Sequence, residues 1–271
     1  MPKDTSQTSH EIDTEAGRLF VRETGAGRPC LLWPSIFTDG HVYDEIAGHL
    51  PGLRLIRIDG PGHGRSGPAR TLTLAAQAQG LLAVMEALGL ARAVIGGTSW
   101  GGLVAAHAAR AAPGRASVAL LINTPLELGT AASLQQRFIA AGARWAPGLR
   151  VFRDGVARSF FADPALPELP DYAQAFHAML KRAEGRAMGP VVRAVLLEGP
   201  PLRPLLPEIT VPTLMIAGRD DAMYPLDEMR AAAATLQNGQ FTEVPGRHIS
   251  VVDAPKQTAD AIRDFLERHP A

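Results

Sequence analysis

Three short stretches of the chain carry residue types that can do chemistry together. The first is Gly97-Thr98-Ser99-Trp100-Gly101, which follows the apolar run 93–95 and precedes a helical stretch beginning near Leu103. A sharp strand-to-helix turn crowds the positions two before and two after its apex, where glycine fits best. A serine at that apex would be thrust outward, with the first N–H groups of the next helix aimed at developing negative charge. The second stretch is Ile216-Ala217-Gly218-Arg219-Asp220-Asp221, a strand end followed by carboxylates. The third is Pro245-Gly246-Arg247-His248, after the short run 240–244. A serine hydroxyl is a weak nucleophile until a histidine, itself oriented by a carboxylate, removes its proton. The pattern therefore nominates Ser99 as nucleophile, His248 as general base and Asp221 as the orienting acid, with Asp220 in reserve. Each stretch also has a plainer reading: a glycine-rich loop, a helix-capping carboxylate and a surface histidine. Their common placement after strands favours the joint, functional reading.

Elements able to hold three such loops together are legible around them. Residues 11–13 and 18–23 read as two short strands turning at Ala16-Gly17, with the preceding tail loose, and Leu19 and Val21 alternate with polar neighbours. Apolar runs at 30–33, 53–58, 93–95, 118–122 and 213–217 each end in loop residues. Helical stretches at 74–88 and 103–112 lie between them, the first stopping near Gly89 and the second at Pro113-Gly114. Strands alternating with helices predict an α/β fold, a mostly parallel central sheet flanked by helices. The alternation breaks after Asn123, and from about 126 to 204 the text is helical or loop-like and rich in proline. The expected organisation is a core of residues 1–126 and 204–271 with a helical cap, or lid, at 127–203. Ligands in such sheets sit at the carboxyl ends of the strands, so the insertion would lie over the site.

Composition narrows the partners. Lys and Arg number 27 against 27 Asp and Glu, without a basic cluster, so neither nucleic acid nor an anionic membrane is indicated. An apolar fraction of 46% over 271 residues suits one large domain with a sizeable core. Residues 1–10 are polar and lack a signal core, and no stretch approaches a membrane span, which makes the cytoplasm the simplest location. The single cysteine, Cys30, opens an apolar run and reads as a core residue. His63 is read as structural and His107 as packed within a helix. His41, His49, His177 and His269 lack partners at metal-ligand spacing, so no metal is expected. Gly25-Ala26-Gly27 joins a hairpin to a strand, and Gly62-His63-Gly64 lacks the rest of a dinucleotide pattern.

Taken together, these motifs resemble the α/β-hydrolase superfamily, and the likeness covers nearly everything outside 127–203. Its order is serine, acid, histidine, as here. Asp59-Gly60-Pro61-Gly62-His63-Gly64-Arg65-Ser66 resembles the family's loop after its fourth strand, Gly218 with Asp221 its acid loop, and His248 with Asp253-Ala254-Pro255 its histidine loop. Within the superfamily the sequence is similar to the group of 3-oxoadipate enol-lactonases and bacterial non-haem haloperoxidases. The family usually carries His-Gly after its third strand, whereas this chain reads Pro34-Ser35-Ile36-Phe37-Thr38-Asp39. By that resemblance the backbone N–H groups of Ile36 and Trp100 would form the oxyanion hole.

The chemistry implied is hydrolysis of a small-molecule carboxylic ester or lactone through an acyl-enzyme on Ser99, with no cofactor. C–C bond hydrolysis of a β-diketone-like substrate, perhydrolysis, and a small-molecule receptor on a hydrolase scaffold are the competing readings. Trp145, Phe152, Phe160 and Phe161 are candidates for the substrate surface of the lid or, more plainly, for its own core. Ile36, Phe37 and Trp100 are candidates for an apolar floor. Such a floor suits an uncharged, fairly hydrophobic acyl or lactone substrate; no arginine cluster clearly demands a carboxylate, although Arg153, Arg158, Arg182 and Arg186 in the lid could supply a partner for one. Oligomeric state is left open.

Overall fold

Every apolar run picked out above is a strand of one sheet in a computed structural model, which describes residues 7–127, 134–161 and 170–270. Its strands are β1 (Thr8–Thr14), β2 (Gly17–Thr24), β3 (Arg28–Trp33), β4 (Leu53–Ile58), β5 (Ala93–Thr98), β6 (Ala116–Ile122), β7 (Thr213–Gly218) and β8 (Gly239–Val244). They lie in the order β1-β2-β4-β3-β5-β6-β7-β8. The β1–β2 and β2–β4 pairs are antiparallel, and every later pair is parallel. The central strands β5, β6 and β7 are buried along their whole length, as strands covered on both faces must be, while the edge strand β1 alternates.

Helices flank the sheet on both sides. Beside the four-residue α1 (Asp44–Ala47), these are α2 (Leu74–Ala87) and α3 (Trp100–Ala111), then α8 (Leu226–Ala233), α9 (Ser250–Asp253) and α10 (Pro255–Arg268). On β3, Cys30 and Leu32 share one apolar layer with Ile46 of α1, Val251 of α9 and Ile262 of α10. Trp33, one residue on and so on the opposite face, packs edge-on against Trp100 of α3, with ring centroids 5.6 Å apart. Cys30 is fully buried, and desolvation pushes its thiol up to about 12 despite the nearby Arg28.

Some boundaries differ from the expectation. The first strand begins at Thr8, because backbone pairing with β2 runs out to Thr8↔Glu23 whether or not side chains alternate there. β5 continues through Gly96 and Gly97 to Thr98, and α3 opens at Trp100 instead of Leu103. The glycines are required by packing: a Cβ on Gly96 would lie 2.6 Å from the Cβ of Leu120 on β6.

Between β6 and β7 the described residues form α4 (Leu134–Trp145), α5 (Arg150–Phe160), α6 (Pro170–Arg182) and α7 (Gly185–Arg193), then a π-helical turn at Ala194–Glu198. Within the 127–203 segment, 128–133 and 162–169 lie outside the described residues. The excursion leaves and returns at one point, since the Leu202 N–H donates to the Leu126 carbonyl at 2.8 Å. No helix among the described residues is long and apolar enough to cross a membrane.

Candidate active site

Ser99 sits at the junction of β5 and α3 with φ +53° and ψ −112°, a left-handed backbone that an L-residue adopts only under constraint. The constraint is visible on all sides. Its N–H donates to the Ile122 carbonyl at 2.7 Å. A Cβ on Gly97 would come within 2.3 Å, and one on Gly101 within 1.9 Å, of the Trp33 carbonyl oxygen. One on Gly102 would lie 1.8 Å from Thr124 Oγ1. Tyr43 clamps the same spot: its hydroxyl donates to the Trp33 carbonyl at 2.5 Å and accepts from the Thr98 N–H at 2.9 Å. The ends of β3 and β5 are thereby locked together beside Ser99.

The other two stretches reach the same place. His248 Nε2 lies 2.8 Å from Ser99 Oγ, and His248 Nδ1 lies 2.9 Å from Asp221 Oδ2. A carboxylate can only accept, so Nδ1 carries the proton and Nε2 is left to accept from the serine hydroxyl. The imidazole is 1% exposed and packed between the rings of Phe160, 5.3 Å away, and Tyr224, 5.4 Å away. Asp221 Oδ1 takes the Met223 N–H at 2.9 Å. Burial pushes the Asp221 carboxyl up, but the hydrogen bond and charge of His248, with the Met223 and Asn123 donors, outweigh it and hold the group below the usual range. Asp220 is exposed and holds only the start of the loop, its N–H donating to the Gly246 carbonyl at 2.9 Å.

Asn123, at the end of β6, was passed over in the sequence except as the point where alternation stops. It is 1% exposed, has φ +46°, and its Nδ2 donates to Asp221 Oδ2 at 3.3 Å and to the Arg247 carbonyl at 3.2 Å. Its Oδ1 accepts from Ser250 Oγ at 2.6 Å. One side chain thus ties the ends of β6 and β7 to the histidine loop. No local pattern marks it, because its partners are about 100 or more residues away.

The loop after β3 is held by a buried carboxylate. Asp59 accepts from Arg22 Nη2 at 2.9 Å, from the Gly40 N–H at 2.9 Å and from the Arg65 N–H at 2.8 Å, fastening the Asp59–Ser66 stretch to the chain just past Asp39. Phe37 in that loop has φ +64° and, like Ile36, is buried. The Ile36 and Trp100 N–H groups have no acceptor among the described residues, and Trp100 is the first residue of α3, whose leading N–H groups have no partner within the helix.

A cavity of about 1000 Å³ opens on Ser99 and His248. Ile36, Phe37, Phe152 and Phe160 line it, with Met223 and Tyr224 from the loop after β7. Phe152, Val156 and Phe160 share one face of α5 at four-residue spacing, and Phe37 packs on it, 5.7 Å from Phe152 and 6.1 Å from Phe160.

Two expectations about side chains need correction, those for Trp100 and Trp145, and Phe161 takes the plainer of its two readings. The Trp100 indole is not part of the floor: it is fully buried beneath the turn, where Nε1 donates to Gln77 Oε1 at 2.6 Å. Phe161 packs on Phe176, 5.3 Å away, inside the helical segment, so its plainer role holds. Trp145 is 77% exposed, with the Arg144 guanidinium over its ring at 4.3 Å, and is not among the described residues that line the cavity. Of the four lid arginines only Arg158 is in the cavity wall; Arg182 lines a separate pocket with His63, and Arg153 bonds the His177 carbonyl. His63 is buried, with Nδ1 against the Pro61 carbonyl, and desolvation pushes it down to about 4. His107 is half-buried in α3. Among the described residues no group of three His, Cys, Asp or Glu is placed to hold a metal ion.

A mostly parallel eight-stranded sheet carrying a serine on a strained strand-to-helix turn defines the α/β-hydrolase class. The chain belongs to the alpha/beta hydrolase family, whose model matches residues 24–261. It is 30% identical to the pimeloyl-[acyl-carrier protein] methyl ester esterase of Methylococcus capsulatus, over 92% of this chain and 98% of that protein. It is 26% identical to 3-oxoadipate enol-lactonase 2 of Acinetobacter baylyi over 90% of each. A thermophilic esterase from Thermogutta terrifontis superimposes with a TM-score of 0.83 at 28% identity, covering 97% of this chain and all 100% of that one. The enol-lactonase of Burkholderia xenovorans shares the fold with a TM-score of 0.86 at 23% identity, over 95% and 100% of the two chains. The kinship with enol-lactonases expected from the motifs is thus found. So is that with haloperoxidases, through a relative from Mycobacterium phage D29 named a putative non-heme haloperoxidase, 25% identical over 90% of each chain.

Proposed function

We propose that this enzyme is a serine hydrolase that cleaves a small-molecule carboxylic ester or lactone through an acyl-enzyme on Ser99. Family membership and relatives named as esterases and enol-lactonases support action on ester bonds. The observation that carries the finer reading is the hydrogen-bonded line from Ser99 Oγ through His248 to Asp221, opening on a cavity. His248 Nε2 takes the hydroxyl proton as Oγ attacks the carbonyl carbon, and Asp221 steadies the imidazolium that results. The Ile36 and Trp100 N–H groups donate hydrogen bonds to the carbonyl oxygen as negative charge gathers on it, worth about 3–4 kcal/mol per donor in comparable sites. His248 then gives its proton to the departing alcohol oxygen. Water, deprotonated by the same nitrogen, releases the acid and restores Ser99. In a lactone the departing oxygen stays tethered and the product is one hydroxy acid. No step requires a cofactor.

The helical segment within 127–203 is, in this reading, a lid over a core of residues 1–126 and 204–271. Its Phe152 and Phe160, with Phe37, supply the apolar wall of the cavity. The test is a fluorophosphonate probe together with a panel of p-nitrophenyl esters, lactones and β-diketones. Labelling at Ser99 and turnover of esters or lactones, both lost in Ser99→Ala, are the expected results. Undiminished turnover in that variant would refute the assignment.

A further inference from the structure

We propose that the cavity selects esters carrying a second, anionic group, with Arg158 as its counter-charge. The proposal rests on Ser99 acting as the nucleophile. The chain as a whole is neutral. The cavity wall is not: its described lining residues include Arg158 and Arg247 and no aspartate or glutamate. Arg158, in the last turn of α5, is exposed and has no hydrogen bond or ion pair from its side chain to any described residue. Other arginines of the same helix are engaged, Arg150 with Asp154 at 3.4 Å and Arg153 with the His177 carbonyl at 3.2 Å.

Arg247, one residue before His248, spends Nη1 on the Arg158 carbonyl at 2.9 Å and the Phe161 carbonyl at 3.5 Å. Its Nη1 thus meets backbone dipoles at the end of α5, while its own backbone N–H donates to Asp253 Oδ2 at 2.7 Å. Positive charge on a concave, partly apolar wall concentrates anions, and a guanidinium offers a carboxylate two parallel N–H donors. The remaining wall is apolar at Ile36, Phe37, Phe152 and Phe160, which suits a hydrocarbon spacer. The ligand class is therefore an ester whose apolar chain ends in an oxyanion such as a carboxylate.

The experiment compares three p-nitrophenyl esters of matched length: the adipate monoester, its methyl-capped neutral form and the 6-aminohexanoate. Exposed charge pairs are worth up to about 1 kcal/mol, so the expected ratio of kcat/KM, anionic over neutral, is about three- to fivefold. The cationic ester should be the poorest. Arg158→Gln should bring the ratio to about one and Arg158→Glu should invert it. Raising salt from about 0.01 M to about 1 M should flatten it in the unmodified enzyme. Equal turnover of the charged and neutral esters, or a ratio that ignores Arg158→Glu, would overturn the charge selection while leaving Ser99 chemistry intact. Failure to hydrolyse any of the three, with no labelling of Ser99, would overturn both.

Discussion

Gly101→Ala is expected to cripple catalysis although residue 101 has no side chain to contribute. A Cβ there would stand 1.9 Å from the Trp33 carbonyl oxygen and 2.7 Å from its carbon, about 1.5 Å closer than the 3.4 Å of ordinary contact. Both atoms are backbone, and the oxygen already accepts the Tyr43 hydroxyl, so no flexible side chain can yield. Either the start of α3 moves, taking Ser99 and Trp100 with it, or the end of β3 moves, taking the Pro34–Ile36 loop. Both displace one proposed oxyanion donor relative to the other by on the order of 1 Å, a shift that costs about 10²-fold in rate. Overpacking against backbone should cost about 3 kcal/mol of stability, the upper part of its usual range. Urea unfolding followed by tryptophan fluorescence, with steady-state p-nitrophenyl ester kinetics, reads both effects. Gly114→Ala is the control, because no atom lies within 4 Å of its new methyl group. It should change stability by less than about 0.5 kcal/mol. A Gly101→Ala enzyme with unaltered kcat/KM and urea midpoint would show that the turn has slack, and the argument from crowding would fall.

Asp221→Asn should lower kcat by about 10⁴-fold through loss of the correct imidazole tautomer, whereas Asp220→Asn should stay near the unmodified rate; the reverse outcome in an ester assay would reassign the acid. Asn123→Ala removes a donor to Asp221 and leaves Ser250 Oγ without its acceptor. It should cost about tenfold in kcat and about 1–3 kcal/mol in urea unfolding, with KM little moved, and a pure KM effect would contradict a positioning role. The depressed Asp221 pKa has a definite sign: between the folded and unfolded values the unfolded chain binds more protons, so stability rises with pH. That contribution is complete above the ordinary carboxylate pKa of about 4 and fades as the pH falls below it. In Asp221→Asn the decline of the urea midpoint below about pH 4 should be shallower than in the parent, and an identical slope would count against it.

How much was readable in advance depends on how local each signal is. The strand runs are apolar because their strands are covered on both faces, and that leaves a mark in any short window. The glycines around Ser99 are equally local, since they answer to a turn only a few residues wide. Ser99, Asp221 and His248 were therefore nominated from pattern alone. Phe152 and Phe160 were nominated only as aromatic residues of the lid; that they look onto the cavity, while Phe161 and Trp145, equally aromatic, point elsewhere, was not legible.

Asn123, Tyr224 and Arg247 carried no pattern at all. Their meaning comes from contacts between loops that close only when β6, β7 and β8 lie side by side. Burial was undecided for the same reason: the Trp100 indole faces Trp33 because α3 crosses that face of the sheet. The amino-acid order by itself determined which stretches become strands, turns and helices, since those follow from side-chain size and periodicity over a few residues. Which side chains then meet, and which charges find no partner, was decided only by tertiary packing, because both depend on distances between residues far apart along the chain.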